Sequence, residues 1–256
     1  YKRQNVPIIK PVTMIGTSVK DWRESTMGIN ALYTTLAVTF PEMDGAIEPI
    51  PIAALKTDTK GKYEVNYIGA ISDRVEKVSK RAFAWTHLRR KSNRDKKIAF
   101  ILYNYPPGKD NVGRAAYLDT FSSLINILDG MKEAGYDVGV YPRTASDFIR
   151  LITQKNLVNI DKNSWTSIER ASKNSFYVDV TQYMEWYAEL PKKVQDDIER
   201  EWGDAPGDVM RVKNKLLVPG MMFGNIFVGF QPARGWGEDP AKMYHNRNLA
   251  PHHQYL

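Results

Sequence analysis

The spacing of apolar residues changes period near residue 96. From Arg74 to Arg94 apolar residues recur at helical spacing between charged ones, which predicts a helix. Residues 98–103 are continuously apolar, which is typical of a strand covered on both faces of a parallel sheet. A loop with two prolines and two glycines follows, and then an amphipathic helix across residues 118–131. A second strand at 137–141 completes the predicted strand–helix–strand unit.

This order of elements predicts an α/β fold with a Rossmann-like parallel sheet and flanking helices. After a helix near residues 148–152 we expect two more helices, at 181–190 and 191–202. Strands are expected at 216–218 and 225–230. The last stretch, from Gln231 onward, is irregular and rich in polar groups.

The first part of the chain gives a different pattern, because prolines interrupt it and allow no long helix. Ala31 to Phe40 is predicted as a buried strand. The elements expected over 1–70 are too few to close a core. We therefore assign residues 1–72 to the C-terminal part of a preceding domain and 73–95 to a connecting basic helix. Residues 96–256 are assigned to the α/β domain, incomplete at its C-terminal end.

Composition excludes several classes of protein. The 256 residues are 43% hydrophobic and 25% charged, which is normal for a globular protein and argues against a disordered chain. No apolar run reaches the ~18 residues of a membrane span. Cysteine is absent, so disulfides, thiolate metal sites and cysteine nucleophiles are excluded. The composition fits a reducing compartment, and we predict a cytoplasmic location.

The formal net charge of +7 is compatible with several kinds of binding partner. One basic cluster, between Lys80 and Lys97, precedes the predicted strand at 98–103. It fits a solvated linker, or a nucleic-acid surface whose binding would weaken steeply with salt. The remaining basic residues are scattered, which suits an anionic small molecule or an acidic protein as well as it suits a phosphate backbone. We predict no nucleic-acid partner.

The loop after the first strand has the two-glycine spacing of a phosphate-binding loop, with Gly108 and Gly113. Such loops continue with Lys and then Ser or Thr, whereas this chain has Arg114 and Ala115. ATP hydrolysis at this loop is therefore not expected. Two interpretations fit what remains. The loop is an anion or ligand site at a helix N-terminus, or a tight turn that glycine permits.

Polar side chains are dense near the end of the chain. Glu238 and Asp239 precede His245, and His252 and His253 follow. Carboxylate and imidazole groups together suit a borderline divalent metal such as Co²⁺ or Zn²⁺. The spacing matches no closed zinc site, so two loop histidines without a ligand fit as well. Aromatic residues beside these loops either pack in a core or line a site for a flat apolar macrocycle; they are Tyr103, Tyr105, Trp236 and Tyr244.

Several segments, taken in order, resemble one family. The chain resembles a middle portion of the large subunits of cobaltochelatase and magnesium chelatase. The resemblance covers essentially all residues, in the stretches 44–49 (DGAIEP), 96–100 (KKIAF), 105–113 (YPPGKDNVG), 116–119 (AYLD), 135–138 (GYDV), 224–229 (GNIFVG), 231–232 (QP) and 251–253 (PHH). Residues 234–245 (RGWGEDPAKMYH) resemble the cobalt type more than the magnesium type.

The resemblance implies a function. Such subunits bind a tetrapyrrole and a divalent metal, while separate AAA+ subunits hydrolyse ATP. We expect Co²⁺ insertion into a corrinoid, with Mg²⁺ and a porphyrin as the alternative, or a module that only docks the AAA+ subunits. A further His-x-Gly-Thr-His-Gly motif is expected after Leu256, so the isolated chain should not turn over.

The resemblance also implies roles for individual residues. Glu238, His252 and His253 are expected to accept pyrrole protons. The same three residues and His245 are expected to bind the metal. The residues expected to bind the tetrapyrrole are Lys109, Asn111, Gly113, Arg114, Arg234 and Trp236.

Overall fold

The computed structural model describes residues 6–25, 27–103, 113, 117–155, 173, 176–231 and 250–251. It divides into two units, residues 1–91 and residues 92–256. Within the described ranges, no helix is both long and apolar enough to cross a membrane.

The first unit is built on a three-stranded sheet. Strand β2 pairs in parallel with β4, and β4 pairs antiparallel with β5, while the short strands β1 and β3 pair in parallel. Val12, Met14, Ala54 and Ile71 form its small buried core. Its elements are β1 (Ile8–Ile9), β2 (Val12–Ser18), α1 (Val19–Glu24), α2 (Ala31–Thr34), a π-helical turn (Thr35–Thr39), α3 (Phe40–Met43), β3 (Ala46–Ile47), β4 (Pro51–Lys60), β5 (Tyr63–Ala70) and α4 (Ser72–Arg90).

The buried strand predicted from Ala31 to Phe40 is wrong, because this segment is helical. The Asn30 side chain accepts a hydrogen bond from the Tyr33 N–H at 2.9 Å, which caps α2. The Thr34 hydroxyl donates to the Asn30 carbonyl at 3.0 Å, four residues back. Half-buried positions recur in pairs four residues apart (33, 34, 37, 38), as on one face of a helix.

Helix α4 packs within the first unit. We predicted a helix from Arg74 to Arg94, and the helix observed is Ser72–Arg90, in the same unit as residues 1–71. The role of residues 73–95 as a connection between domains stays a prediction. Glu48 holds it in place, because its Oε1 accepts from Arg81 Nε at 2.8 Å and from Trp85 Nε1 at 2.9 Å. The assignment of residues 1–72 to the end of a preceding domain stays a prediction.

The second unit contains two three-stranded sheets. Strand β11 lies between β6, to which it is parallel, and β10, to which it is antiparallel; β9 lies between β7 and β8 in an antiparallel sheet. Its elements are a 3₁₀ turn (Asn93–Asp95), β6 (Ile98–Leu102), α5 (Thr120–Glu133), α6 (Ala145–Lys155), β7 (Phe176–Asp179), α7 (Val180–Ala188), α8 (Lys192–Trp202), β8 (Arg211–Val212), β9 (Lys215–Val218), β10 (Gly220–Phe223) and β11 (Ile226–Phe230). The predicted α/β class, with parallel pairing and flanking helices, is confirmed.

The main core lies between the β10–β11–β6 sheet and helices α5 and α6. Helix α5 buries one stripe, and alternate residues of β11 meet it. Ile226 and Val228 are fully buried, and the Phe121 and Phe148 rings stack with centroids 5.7 Å apart. This burial supplies the main favourable free energy of folding for the unit.

The strand predicted over 137–141 is wrong. Gly139 and Gly224 both have positive φ, and a Cβ on Gly139 would lie 2.4 Å from the backbone N of Gly224. The Asn225 N–H donates to the Asp137 carbonyl at 2.9 Å. The segment therefore crosses the β10–β11 turn at close range and does not extend along the sheet.

The predicted cover on both faces of β6 is also wrong for the described residues. Ile98, Phe100 and Leu102 face the core, but Ala99 is exposed and Ile101 retains 59% of its accessible surface. An apolar run in the sequence cannot distinguish one buried face from two.

We predict that Glu48→Gln lowers the thermal stability of the chain in a pH-dependent way. Hydrogen bonds from Arg81 and Trp85 hold the pKa of Glu48 below its ordinary value. The stabilisation is therefore present at neutral pH and is lost as pH falls through the lowered pKa. Melting curves from about pH 3 to pH 7 should show the two proteins converging at the acid end. The control is Glu76→Gln, which removes an exposed pair with Lys80 and should change little. If the melting temperatures of Glu48→Gln and the wild type differed by the same amount at every pH, the prediction would be contradicted.

We also predict opposite effects of one substitution at two glycines. Gly224→Ala places a Cβ 2.3 Å from Asp137 Oδ1 at a φ of +58°, and should lower the free energy of unfolding by about 2 kcal/mol. Gly130→Ala, in an exposed part of α5 with no atom near its Cβ, should raise it by about 0.5–1 kcal/mol. Urea denaturation measures both. If the two substitutions changed the free energy of unfolding equally and in the same direction, the close approach of Gly224 to Asp137 would be contradicted.

Candidate functional site

Two parallel strands of the β10–β11–β6 sheet end at the same edge of that sheet. In β6 and β11, Leu102 pairs with Phe230, and the Gln231 N–H donates to the Leu102 carbonyl at 2.9 Å. Both strands end there. The segment that follows β6 and the segment that follows β11 therefore begin side by side, at the carboxyl edge where open α/β sheets bind ligands.

The predicted site residues belong to these two segments. Gly113 is the one that falls within the described residues. The others lie outside them and their roles stay predictions; they are Lys109, Asn111, Arg114, Arg234, Trp236, Glu238, His245, His252 and His253.

Gly113 lies against the beginning of α5. Its φ is +68°, and a Cβ there would lie 3.2 Å from the Phe121 ring and 3.5 Å from the Thr120 methyl group. Glycine therefore serves both the backbone conformation and the close approach. This geometry supports the interpretation of a tight turn, while a direct ligand contact by Gly113 stays a prediction.

The N-terminus of α5 already holds a carboxylate. Asp119 accepts hydrogen bonds from the Ser122 hydroxyl at 2.6 Å and from the Ser122 N–H at 3.0 Å. These bonds lower the pKa of Asp119, so it is ionised at neutral pH. A fixed negative charge at the first turn competes with a bound anion, which weighs against a simple phosphate site at this helix end.

Two described residues late in the second segment are buried. Ala250 has no exposed surface and Pro251 is fully buried, and His252 follows directly in the sequence. Among the described residues, no group of three or more His, Asp or Glu side chains could hold a metal ion.

One exposed residue in the segment between β6 and α5 was not among the predicted site residues. Tyr117 has a φ of +61° and a fully exposed side chain (109% of the reference surface). Leu118 and Tyr103 are also about half exposed. The sequence gives no sign of this, because neither the exposure nor the sign of φ of a tyrosine can be inferred from spacing.

The fold and this edge define an α/β segment in which two loops begin side by side at one edge of a sheet. The chain belongs to the CobN/magnesium chelatase family, whose model matches residues 1–256. The resemblance inferred from the motifs is thereby confirmed.

Individual proteins of both metal types are similar to the chain. The ChlH subunit of magnesium chelatase from Oryza sativa subsp. indica is 32% identical over 99% of the chain and 17% of that protein. The aerobic cobaltochelatase subunit CobN of Pseudomonas aeruginosa is 30% identical over 99% of the chain and 20% of that protein. The catalytic subunit of cobaltochelatase from Mycobacterium tuberculosis superposes with a TM-score of 0.76 at 26% identity, over 98% of the chain and 20% of that subunit. The chain thus spans about a fifth of these relatives.

We predict that Gly113→Ala destabilises the chain by more than Gly135→Ala. Both glycines have positive φ, so each alanine incurs a conformational cost of about 1 kcal/mol. At Gly135 no atom lies within 4 Å of the new Cβ, whereas at Gly113 the Phe121 ring must move. The difference between the two free energies of unfolding, measured in urea, reports the contact with Phe121. Identical losses would show that the loop does not lie on α5.

Proposed function

We propose that the chain is part of the tetrapyrrole- and metal-binding large subunit of an ATP-dependent cobaltochelatase, which inserts Co²⁺ into a corrinoid. The observation that supports the proposal is that the two candidate segments begin at the same edge of the sheet. The hydrogen bond from the Gln231 N–H to the Leu102 carbonyl places the starts of these two segments, at Tyr103 and Gln231, side by side. One ligand can then contact basic groups from the first segment and carboxylate and imidazole groups from the second.

Metal insertion needs a base beside the macrocycle, because inner N–H protons must leave as the metal–nitrogen bonds form: one from the corrin ring of a corrinoid, or two from a porphyrin. Imidazole titrates near neutral pH, which suits His252 and His253 as proton acceptors together with Glu238. We place His245 with these groups as a metal ligand. Nitrogen and oxygen ligands match Co²⁺ as a borderline metal, and the chain has no cysteine to offer a thiolate.

Recognition of the macrocycle would use the basic residues of both segments. Corrinoid and porphyrin substrates carry carboxylates at their periphery. Lys109, Arg114 and Arg234 can pair with these groups, with the two arginines able to bind bidentately. Asn111 and Trp236 would add a hydrogen bond and an apolar surface. The net charge of +7 favours the approach of such an anion.

ATP would be used elsewhere in the complex. The loop after β6 has Arg114 and Ala115 where a nucleotide loop has its Lys and Ser or Thr, so this chain lacks the magnesium ligand of such a loop. AAA+ subunits are the proposed source of hydrolysis and the proposed protein partners. We expect the reaction in the cytoplasm.

Magnesium chelation is the second candidate. ChlH of rice is about as similar to the chain as CobN of Pseudomonas aeruginosa. The pattern of residues 234–245 favours the cobalt type. Parallel insertion assays of the full-length subunit, with Co²⁺ and a corrinoid or with Mg²⁺ and a porphyrin, separate the two. Turnover with Mg²⁺ and a porphyrin, but not with Co²⁺ and a corrinoid, would overturn the cobalt assignment.

We predict that replacing both His252 and His253 with alanine in the full-length subunit slows cobalt insertion at least ~100-fold, as expected for loss of general base catalysis. Insertion is followed by the absorbance change of the corrinoid in the presence of the AAA+ subunits. His87→Ala is the matched control, because His87 lies exposed on α4 and should not affect the rate. A double variant with the wild-type rate, or one that loses only the binding of the AAA+ subunits, would contradict the assignment and favour a docking role.

A further inference from the structure

We propose that a further strand, supplied by another part of the same full-length subunit, pairs with the outer edge of β5 in the first unit. This edge belongs to the last strand of the β2–β4–β5 sheet, Tyr63–Ala70. The inference rests on the proposed function, because it takes the chain to be part of a longer subunit.

The opposite edge of the same sheet, at β2, is covered by the fold itself. The Tyr33 hydroxyl accepts a hydrogen bond from the Ile15 N–H at 3.3 Å and donates one to the Thr13 carbonyl at 3.0 Å. The pairing of β2 with β4 is also irregular, with shifts of register after Val12 and after Met14. Both features make the β2 edge unsuitable for pairing with a further strand.

The β5 edge has neither feature. Its eight residues pair with β4 in one continuous register, without a bulge. The strand contains no proline and no lysine, and Glu64 is its one charged residue. Among the described residues, the one side chain that bonds to its backbone is Lys56, whose ammonium donates to the Ala70 carbonyl at 2.8 Å. A long, regular edge of this kind readily pairs with a further strand.

The sheet narrows to a ribbon of two strands beyond the end of β2. The last residue of β4 that pairs with β2 is Leu55, and β4 and β5 continue past it as a pair. One face of this ribbon carries Tyr63, Val65 and Tyr67, with 77%, 45% and 48% of their surface exposed. A ribbon of two strands is at best marginally stable in water, and a third strand with an apolar face stabilises it.

The two faces of β5 define the chemistry of the added strand. Because side chains alternate along a strand, Tyr63, Val65 and Tyr67 lie on one face, and Glu64 and Asn66 lie on the other. Neighbouring strands contact each other through side chains on the same face. The added strand should therefore alternate apolar or aromatic residues with polar ones.

The need for a permanent cover favours the same subunit as the source of this strand. An apolar edge that is open between encounters with a partner would pair with other chains and aggregate. A strand of the same polypeptide is always present at a high effective concentration. The chain spans about a fifth of its relatives, so such a subunit has many other segments that could supply the strand.

The test is hydrogen–deuterium exchange of the full-length subunit, measured at single amides by mass spectrometry. In an unpaired edge strand, alternate N–H groups face solvent and exchange fast. With a further strand in place, every N–H from Glu64 to Ile68 should exchange at least ~100-fold more slowly than in an unstructured peptide. This protection should be the same at all protein concentrations and should not require the AAA+ subunits.

Tyr33→Phe is the matched control at the covered edge of the same sheet. Loss of its hydroxyl removes the acceptor of the Ile15 N–H, so exchange at this amide should become about 3- to 10-fold faster. Exchange in β5 should not change.

Fast exchange at alternate amides of β5 would overturn the inference, because the edge would then be free. Protection that appears only at high protein concentration, or only with the AAA+ subunits, would overturn it as well, since the cover would then be a second copy or a partner. A subunit that shows the protection but inserts no metal would refute the proposed function and leave the inference intact.

Discussion

The parallel pairing of β6 with β11 places two distant parts of the chain at one edge. Backbone hydrogen bonds run from Ile98 and Ile226 to Leu102 and Phe230, and the core on one face buries Ile226 and Val228 completely. Parallel strands point their carboxyl ends the same way, so the segments that follow them must start together. Loss of this pairing would separate the starts of the two segments that carry the proposed site residues.

The sequence predicted the elements whose pattern is set by burial. The apolar run of β6 and the helical stripe of α5 were identified because their side chains meet one core, as were the two strand segments near residues 217 and 228. The two strands that were wrongly predicted, at 31–40 and 137–141, have physical explanations. Residues 31–40 are helical because of a local cap at Asn30, and 137–141 is not a strand because Gly139 meets Gly224. Caps and backbone approaches depend on geometry, which hydrophobic spacing does not encode.

The candidate site could be placed from sequence only in part. The glycine loop was located correctly after a strand and before a helix, and Gly113 proved to be packed on Phe121. The capping carboxylate of Asp119 at the same helix end, and the exposure of Tyr117, follow from side-chain geometry that a linear pattern does not contain. The remaining candidate residues lie outside the described part of the chain, so their roles rest on chemistry and on the family.

The family motifs include residues that serve the fold as well as residues suited to chemistry. Gly224 approaches Asp137, and the Asn225 side chain donates to the Arg94 carbonyl at 2.9 Å, so this motif fixes the turn before β11. Glu48, at a φ of +58°, binds Arg81 and Trp85 and fixes the loop after β3.

The central claim, that the segments after β6 and β11 form one site, is tested most directly by a distance. The chain has no cysteine, so Asp110→Cys and Ala233→Cys, which replace none of the residues assigned to the ligand, can be spin-labelled together without a background signal from this chain. Pulsed electron–electron double resonance should then give a short distance between the two labels, and its distribution should narrow when a metal-free tetrapyrrole is added. A long distance that the tetrapyrrole leaves unchanged would contradict the claim.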